Sequence, residues 1–336
     1  MSKSDFSKYK SKKVLITGGV GFIGSNLARK LVKVGAEVTV VDSLIPQYGA
    51  NLFNIDDLLD RITVNICDVR DSHAMCYLVK DKDYLFNLAG QTSHLDSMTD
   101  PYTDLDINAV AQLSILESCR KSNPDIKIVF ASTRQLYGKP DYLPVDEKHP
   151  VRPVDVNGIN KLAGEWYHLL YNNVYGVSAC ALRLTNTYGP GMRVKDARQT
   201  FLGIWIRQLI EGNAIKVFGD GKQLRDFNFV DDVVDALLLS GESKVSNGKV
   251  YNLGSSEVIN LKDLAKMMIT LGYKGDYELV SFPSDRKAID IGDYYSDSSL
   301  IFNDLGWEPV VGLRSGLKKT IDYYQSYAEQ YWEMDS

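Results

Sequence analysis

Cysteine is scarce. Cys67, Cys76, Cys119 and Cys180 are the only four in 336 residues, and no two form a CxxC pair. That spacing excludes a disulfide-stapled scaffold and a thiolate zinc site, and it suits a reducing compartment. The four histidines, His73, His94, His149 and His168, show no metal-ligand spacing, so no metal is expected. An excess of positive charge is also missing. The 38 basic residues against 43 acidic ones leave a net charge of −5, which argues against a nucleic-acid partner. No apolar run approaches the ~18 residues of a membrane span. The opening MSKSDFSKYKSKK has no apolar signal core, so it reads as a polar leader and the expected location is cytoplasmic, with no membrane partner. Repeats and low-complexity tracts are absent as well.

What is present is the normal globular mixture, 44% hydrophobic and 24% charged, in a chain long enough to bury a large core. Short β-branched runs alternate with amphipathic stretches through the first half, which predicts a parallel sheet flanked by helices. The expected strands are 13–17, 37–42, 62–66, 84–88, 126–131 and 177–184; the expected helices are 25–34, 73–79, 109–121 and 160–174. After Gly189 the texture changes to mixed loops, short strands and two helices, near 200–211 and 260–271. The expected fold is therefore α/β, a doubly wound parallel (Rossmann) sheet over residues 1–184. Residues 185–336 are expected to form mainly a smaller substrate-binding domain, with some segments returning to the sheet.

Between the first strand and the first helix stand glycines at 18, 21 and 24, in Val14-Leu-Ile-Thr-Gly-Gly-Val-Gly-Phe-Ile-Gly24. That position suits a dinucleotide. Gly18 allows the tight turn, Gly21 lets backbone approach a pyrophosphate, and Gly24 lets helix and strand pack closely. Phe22 and Ile23 begin the helix whose amides would face the phosphates. Asp42 ends the second strand, 18 residues beyond Gly24, where a carboxylate can bond the ribose hydroxyls and repel a 2′-phosphate. NAD is expected over NADP. Asp68, followed by Val69, is placed to meet the adenine.

The glycine spacing, together with Asn87-Leu-Ala-Gly-Gln91, Ala131-Ser-Thr-Arg-Gln-Leu-Tyr-Gly138, Lys161-Leu-Ala-Gly-Glu165, Arg183-Leu-Thr-Asn-Thr-Tyr-Gly-Pro190 and Arg225-Asp-Phe-Asn-Phe-Val-Asp-Asp232, resembles the extended short-chain dehydrogenase/reductase family. The resemblance covers nearly the whole chain and falls in the nucleotide-sugar epimerase/dehydratase branch, of the UDP-hexose 4-epimerase type. It implies that Leu88 and Ala89 run beside the cofactor, that Thr133 faces the nicotinamide end, and that Lys161 binds the nicotinamide ribose. It also implies Asn186, Arg225 and Arg286 on the diphosphate of a sugar nucleotide, expected to be UDP-linked. His94 is the one histidine near the proposed site. Arg198, in a basic cluster with Arg193 and Lys195, either closes over the diphosphate or belongs to a solvated loop. Helices 109–121 and 160–174 would form the seam of a homodimer.

The catalytic set implied is Thr133, Asn157 and Lys161, and it carries a departure. Members of the branch place a tyrosine base four residues before the lysine, on the same helix face. This chain has Asn157 there, and a carboxamide is no base near neutral pH. Either another group moves the proton (Tyr137, Tyr188, His94, or a water held by Thr133 and Asn157), or the chain binds NAD and sugar nucleotide with a lost or altered redox step. A shifted register is the poorest option, because Lys161-Leu-Ala-Gly-Glu165 fixes it. The two residues after Thr133 are Arg134 and Gln135, so neither supplies the carboxylic acid that elimination or decarboxylation needs. Epimerisation is left as the leading expectation. A dehydratase or oxidoreductase with an altered base and a sugar-nucleotide binding protein are the alternatives. Arg134 itself is either part of the site or an outward-facing surface residue.

Overall fold

Along strand β1 (Lys13–Thr17), Val14 and Ile16 join one buried cluster while Leu15 joins another, and all three are fully shielded from solvent. A strand apolar on both faces must sit inside a sheet covered on both sides. In the computed structural model, which describes residues 5–196, 200–271 and 275–333, that is the observed arrangement. The strands follow as β2 (Glu37–Asp42), β3 (Thr63–Ile66), β4 (Tyr84–Asn87), β5 (Lys127–Thr133), β6 (Ala179–Leu184), β7 (Asn186–Tyr188), β8 (Ile215–Phe218), β9 (Leu224–Phe229), β10 (Val250–Asn252), β11 (Val258–Asn260) and β12 (Tyr277–Val280). Seven of them make one sheet in the order β10-β6-β5-β4-β1-β2-β3, every pairing parallel. The order reverses between β1 and β4, where open α/β sheets bind ligands at their carboxyl ends. Strands β7, β9 and β11 form a separate three-stranded sheet, and β8 pairs with β12.

Helices α1 (Phe22–Lys33), α2 (Ser72–Leu78), α3 (His94–Thr99), α4 (Pro101–Leu105), α5 (Ala111–Ser122) and α6 (Val156–Tyr175) connect the first strands. A π-helical turn, Asp106–Val110, leads into α5. Helix α6 begins four residues earlier than the pattern predicts, because Asp155 caps it by accepting from the Gly158 amide at 2.6 Å. Asn157 and Lys161 therefore stand on one helix. Strand β5 runs two residues further than expected and ends on Thr133.

The C-terminal half holds more helix than expected. Besides α7 (Phe201–Ile210), there is α8 (Val230–Glu242), and besides α9 (Leu261–Thr270) there are α10 (Ser284–Ala288), α11 (Ser299–Leu305) and α12 (Leu313–Tyr327). Helix α8 hides from a periodicity search because it is buried nearly all round, with Val230, Val233, Val234, Leu237 and Leu238 shielded. It packs beside α1 against the sheet, and β10 adds to β6. The chain thus crosses back into the N-terminal layer well after residue 185. No helix among the described residues is long and apolar enough to cross a membrane.

Candidate active site

Gly18 adopts φ +69°, a left-handed conformation that glycine takes without steric cost. The turn it makes is so tight that a Cβ on Gly24 would lie 2.3 Å from the Gly18 carbonyl oxygen. Helix α1 starts there with no side-chain cap, leaving its first amides turned toward the carboxyl ends of the strands. Thr17 fixes the opposite wall. Its Oγ1 donates to Asn87 Oδ1 at 2.8 Å and accepts from the amides of Leu88 and Ala89, each at 3.1 Å. Asp42 accepts from the Leu44 amide at 3.0 Å and the Val20 amide at 3.1 Å. Burial raises its carboxyl pKa, and those amides oppose the rise.

From this cradle a cavity of about 290 Å³ runs across the sheet end to α6. Gly18, Gly21, Phe22, Ile23, Gly24, Asp42, Asp68, Val69, Leu88 and Ala89 line one end; His94, Thr133, Asn157, Lys161 and Asn186 line the other. Asp68 is held by Arg70 at 2.6 Å, and that hydrogen bond draws its carboxyl below the usual range. The glycine turn, the uncapped helix start and the Asp42 carboxylate are a donor and acceptor set that fits an adenine dinucleotide.

At the other end Lys161 is buried, its Nζ donating to the Ala131 carbonyl at 3.2 Å and lying 5.0 Å over the Phe130 ring. Burial pushes the amine down to about 8, while Asp104 pulls the other way. Asn157 does structural work beside it. Its Nδ2 donates to the Gln91 carbonyl at 2.8 Å and to Asp104 Oδ2 at 2.9 Å, and Asn160 Nδ2 reaches Asp104 Oδ1 at 2.8 Å. The buried Asp104 carboxylate is thus satisfied by two carboxamides of α6, and the position-157 side chain ties α6 to α4.

Two of the tyrosines expected as substitutes are elsewhere. Tyr137 donates to Asn252 Oδ1 at 2.8 Å and accepts from Arg183 Nη1 at 2.5 Å, and burial raises its phenol to about 12. Tyr188 is buried and donates to the Leu313 carbonyl at 3.3 Å. Neither lines the cavity. His94 does. Its Nδ1 sits 2.9 Å from Asp155 Oδ2, close enough for an ion pair though off the line of an ideal hydrogen bond, and a third of the side chain is exposed. Asp155 is buried, which would raise its pKa, yet His94, the Gly158 amide and Gln135 together bring it below the usual value. Gln135 Nε2 donates to the same Oδ2 at 2.9 Å, so the residue after Arg134 braces the carboxylate behind the histidine.

Two of the arginines expected on the diphosphate stand away from the cavity. Arg225 does not line the cavity: its Nη1 is taken by the carbonyls of Leu224 at 2.8 Å and Gly292 at 2.5 Å. Arg286 does not line it either, its guanidinium lying 5.6 Å over the Phe218 ring at the β8 edge. Arg198 lies outside the described residues. Arg134 lines the cavity and is half-buried rather than outward-facing. Sequence reasoning also missed Thr17 and Asp155. The fingerprint ending in Thr17-Gly18 and the Asp-x-x-Gly step before α6 were the available signals.

The sequence from residue 14 to 254 matches the model of the NAD dependent epimerase/dehydratase family. A Methanocaldococcus jannaschii protein with the provisional name UDP-glucose 4-epimerase is 32% identical over 93% of this chain and 98% of its own length. The crystal structure of a UDP-glucose 4-epimerase from Thermotoga maritima with UDP-glucose superimposes with a TM-score of 0.85 at 30% identity, covering 94% of this chain and 99% of that one. An epimerase from Methanothermobacter thermautotrophicus gives a TM-score of 0.90 at 27% identity, over 97% and 95% of the two chains. With a family match across most of the sequence, a seven-stranded parallel sheet and a glycine cradle at its reversal point, the chain belongs to the NAD-dependent epimerase/dehydratase family.

Proposed function

We propose that the protein epimerises a nucleotide sugar, at C4 of a UDP-hexose, by transient oxidation to a keto sugar and reduction from the opposite face. The observation that carries this reading is one continuous cavity. It joins the dinucleotide cradle to a pocket holding Lys161, Thr133 and the His94–Asp155 pair, with Arg134 and Gln135 where an eliminating enzyme needs a carboxylic acid. Bound NAD supplies a reversible hydride acceptor.

The residues do the rest. Gly21 and the α1 amides hold the pyrophosphate, and Asp42 takes the adenosine ribose. Lys161 anchors the second ribose and keeps a positive charge near the sugar hydroxyl that loses its proton. His94 accepts that proton at Nε2, with Asp155 orienting the ring through Nδ1, the arrangement by which a carboxylate fixes an imidazole base. Thr133, whose Oγ1 already accepts from the Gln135 amide at 3.2 Å, positions the same hydroxyl. Asn157 shapes the pocket. A second copy of the chain would cover Ile159, Trp166, Leu170 and Val174 of α6, all more than half or half exposed, which supports a homodimer.

The test is incubation of the NAD-loaded protein with a panel of sugar nucleotides, read by mass spectrometry and NMR. Inversion at C4 with unchanged mass is expected. A product lighter by one water assigns a dehydratase instead, and binding without any product assigns a sugar-nucleotide binding protein.

A further inference from the structure

Arg134 opens the 3-10 turn Arg134–Tyr137 immediately beyond β5, next to Thr133. Its side chain is half-buried, with the guanidinium 5.0 Å over the ring of Tyr294. Nη2 donates to Asn186 Oδ1 at 3.1 Å, while Nη1 is shielded from solvent and has no partner. Among the described residues no carboxylate oxygen comes within ion-pair distance of it. Arg183, a buried arginine one strand away, differs in this respect: Glu165 meets it at 2.5 and 3.0 Å.

A buried cation is costly unless it is paired and its donors are satisfied. The nearest protein charges act on it only at a distance. Asp226 on β9 and Asp290 both act on Arg134 but from beyond pairing distance, and although burial raises the Asp226 pKa to about 6, that carboxyl stays mostly ionised near neutrality. Arg225 is a second positive group with its own partner, Asp290 at 3.7 Å, and burial, with Arg134 adding to it, lowers its pKa to about 10. The charges of this corner are thus met at a distance, while one shielded N–H group of Arg134 is left without a hydrogen-bond partner.

We propose that Arg134 is a specificity-determining residue that binds an oxyanion of the sugar nucleotide. The anion has two sources: a carboxylate on the hexose, or the phosphoryl oxygen next to the sugar. This rests on the sugar-nucleotide reading above and adds the charge class that the sugar end accepts. Arginine suits the task because its planar fork can hold Asn186 with one arm and the anion with another.

The test compares NAD-loaded wild type, Arg134→Gln and Arg134→Lys for binding of UDP, UDP-glucose and UDP-glucuronate by calorimetry. The glutamine variant is expected to lose roughly ten- to a hundredfold in affinity, the range of a charge-assisted hydrogen bond, and the lysine variant to retain part of it. A loss confined to UDP-glucuronate assigns the hexose carboxylate. A loss shared by all three ligands assigns the phosphoryl oxygen. The melting temperature of Arg134→Gln without sugar nucleotide is expected to hold or rise, because a shielded N–H group without a partner is gone; the lysine variant carries the test if the glutamine variant fails to fold. Unchanged affinities in both variants, with wild type binding normally, overturn the proposal and leave Arg134 a scaffold residue. Wild type that binds none of the three overturns the sugar-nucleotide reading, and this proposal with it.

Discussion

His94→Asn is expected to lower turnover by about 10²–10⁴-fold, the usual contribution of a positioned general base, with NAD and sugar-nucleotide affinities changed only a few fold. The argument is partly by elimination. Position 157 cannot move a proton, and its amide nitrogen is spent on Gln91 and Asp104. The phenols of Tyr137 and Tyr188 are committed to Asn252 and Leu313 inside the fold. Lys161 faces the Ala131 carbonyl. His94 remains, exposed to the cavity on one side and fixed by the buried Asp155 on the other. Steady-state kinetics with a calorimetric check on both ligands reads the effect. A variant that keeps full turnover would move proton transfer to a water held by Thr133, and the role given to Asp155 would fall with it.

Glu165→Ala is expected to cost about 3–5 kcal/mol of stability, because it strands the buried Arg183 without its counter-charge. Glu165 Oε2 also accepts from Ser132 Oγ at 2.6 Å, so the carboxylate braces β5 from beneath one residue before Thr133. Urea unfolding of the single variant and of the Glu165→Met/Arg183→Met pair separates charge from packing. Most of the loss should return in the double variant, since two apolar side chains leave nothing unpaired. Equal destabilisation in both would mean that shape alone matters there, not the ion pair.

The parts of this molecule legible from sequence are those in which a local pattern dictates the chemistry. Glycines 18, 21 and 24 are required by backbone geometry within one turn, and Asp42 is placed by the length of a single strand. Strand β1 reads clearly because apolar residues fill both of its faces. Long-range packing was not legible. Helix α8 is shielded on nearly every side, the Asp232 side chain included, so polar and apolar positions do not sort into an outer and an inner face, and its burial between α1 and the sheet explains it. Arg225 sits in the expected motif, but the Gly292 carbonyl that holds it comes from 67 residues away. The Asp155 partner of His94 lies on the far side of β5 in sequence, and nothing local joins the two. Conversely, Asn157 was legible as a departure but not as a brace, because its partner Asp104 belongs to another helix.

The most direct test of the proposed chemistry follows the hydrogen at the reacting carbon. A UDP-hexose carrying deuterium at C4 is incubated with the NAD-loaded protein in ordinary water, and both epimers are examined by NMR and mass spectrometry. Transient oxidation within the site predicts deuterium retained at C4 in both epimers and an unchanged molecular mass. Deuterium washed out to solvent, with epimers still formed, would contradict hydride transfer and show that the protein inverts the centre by proton exchange instead.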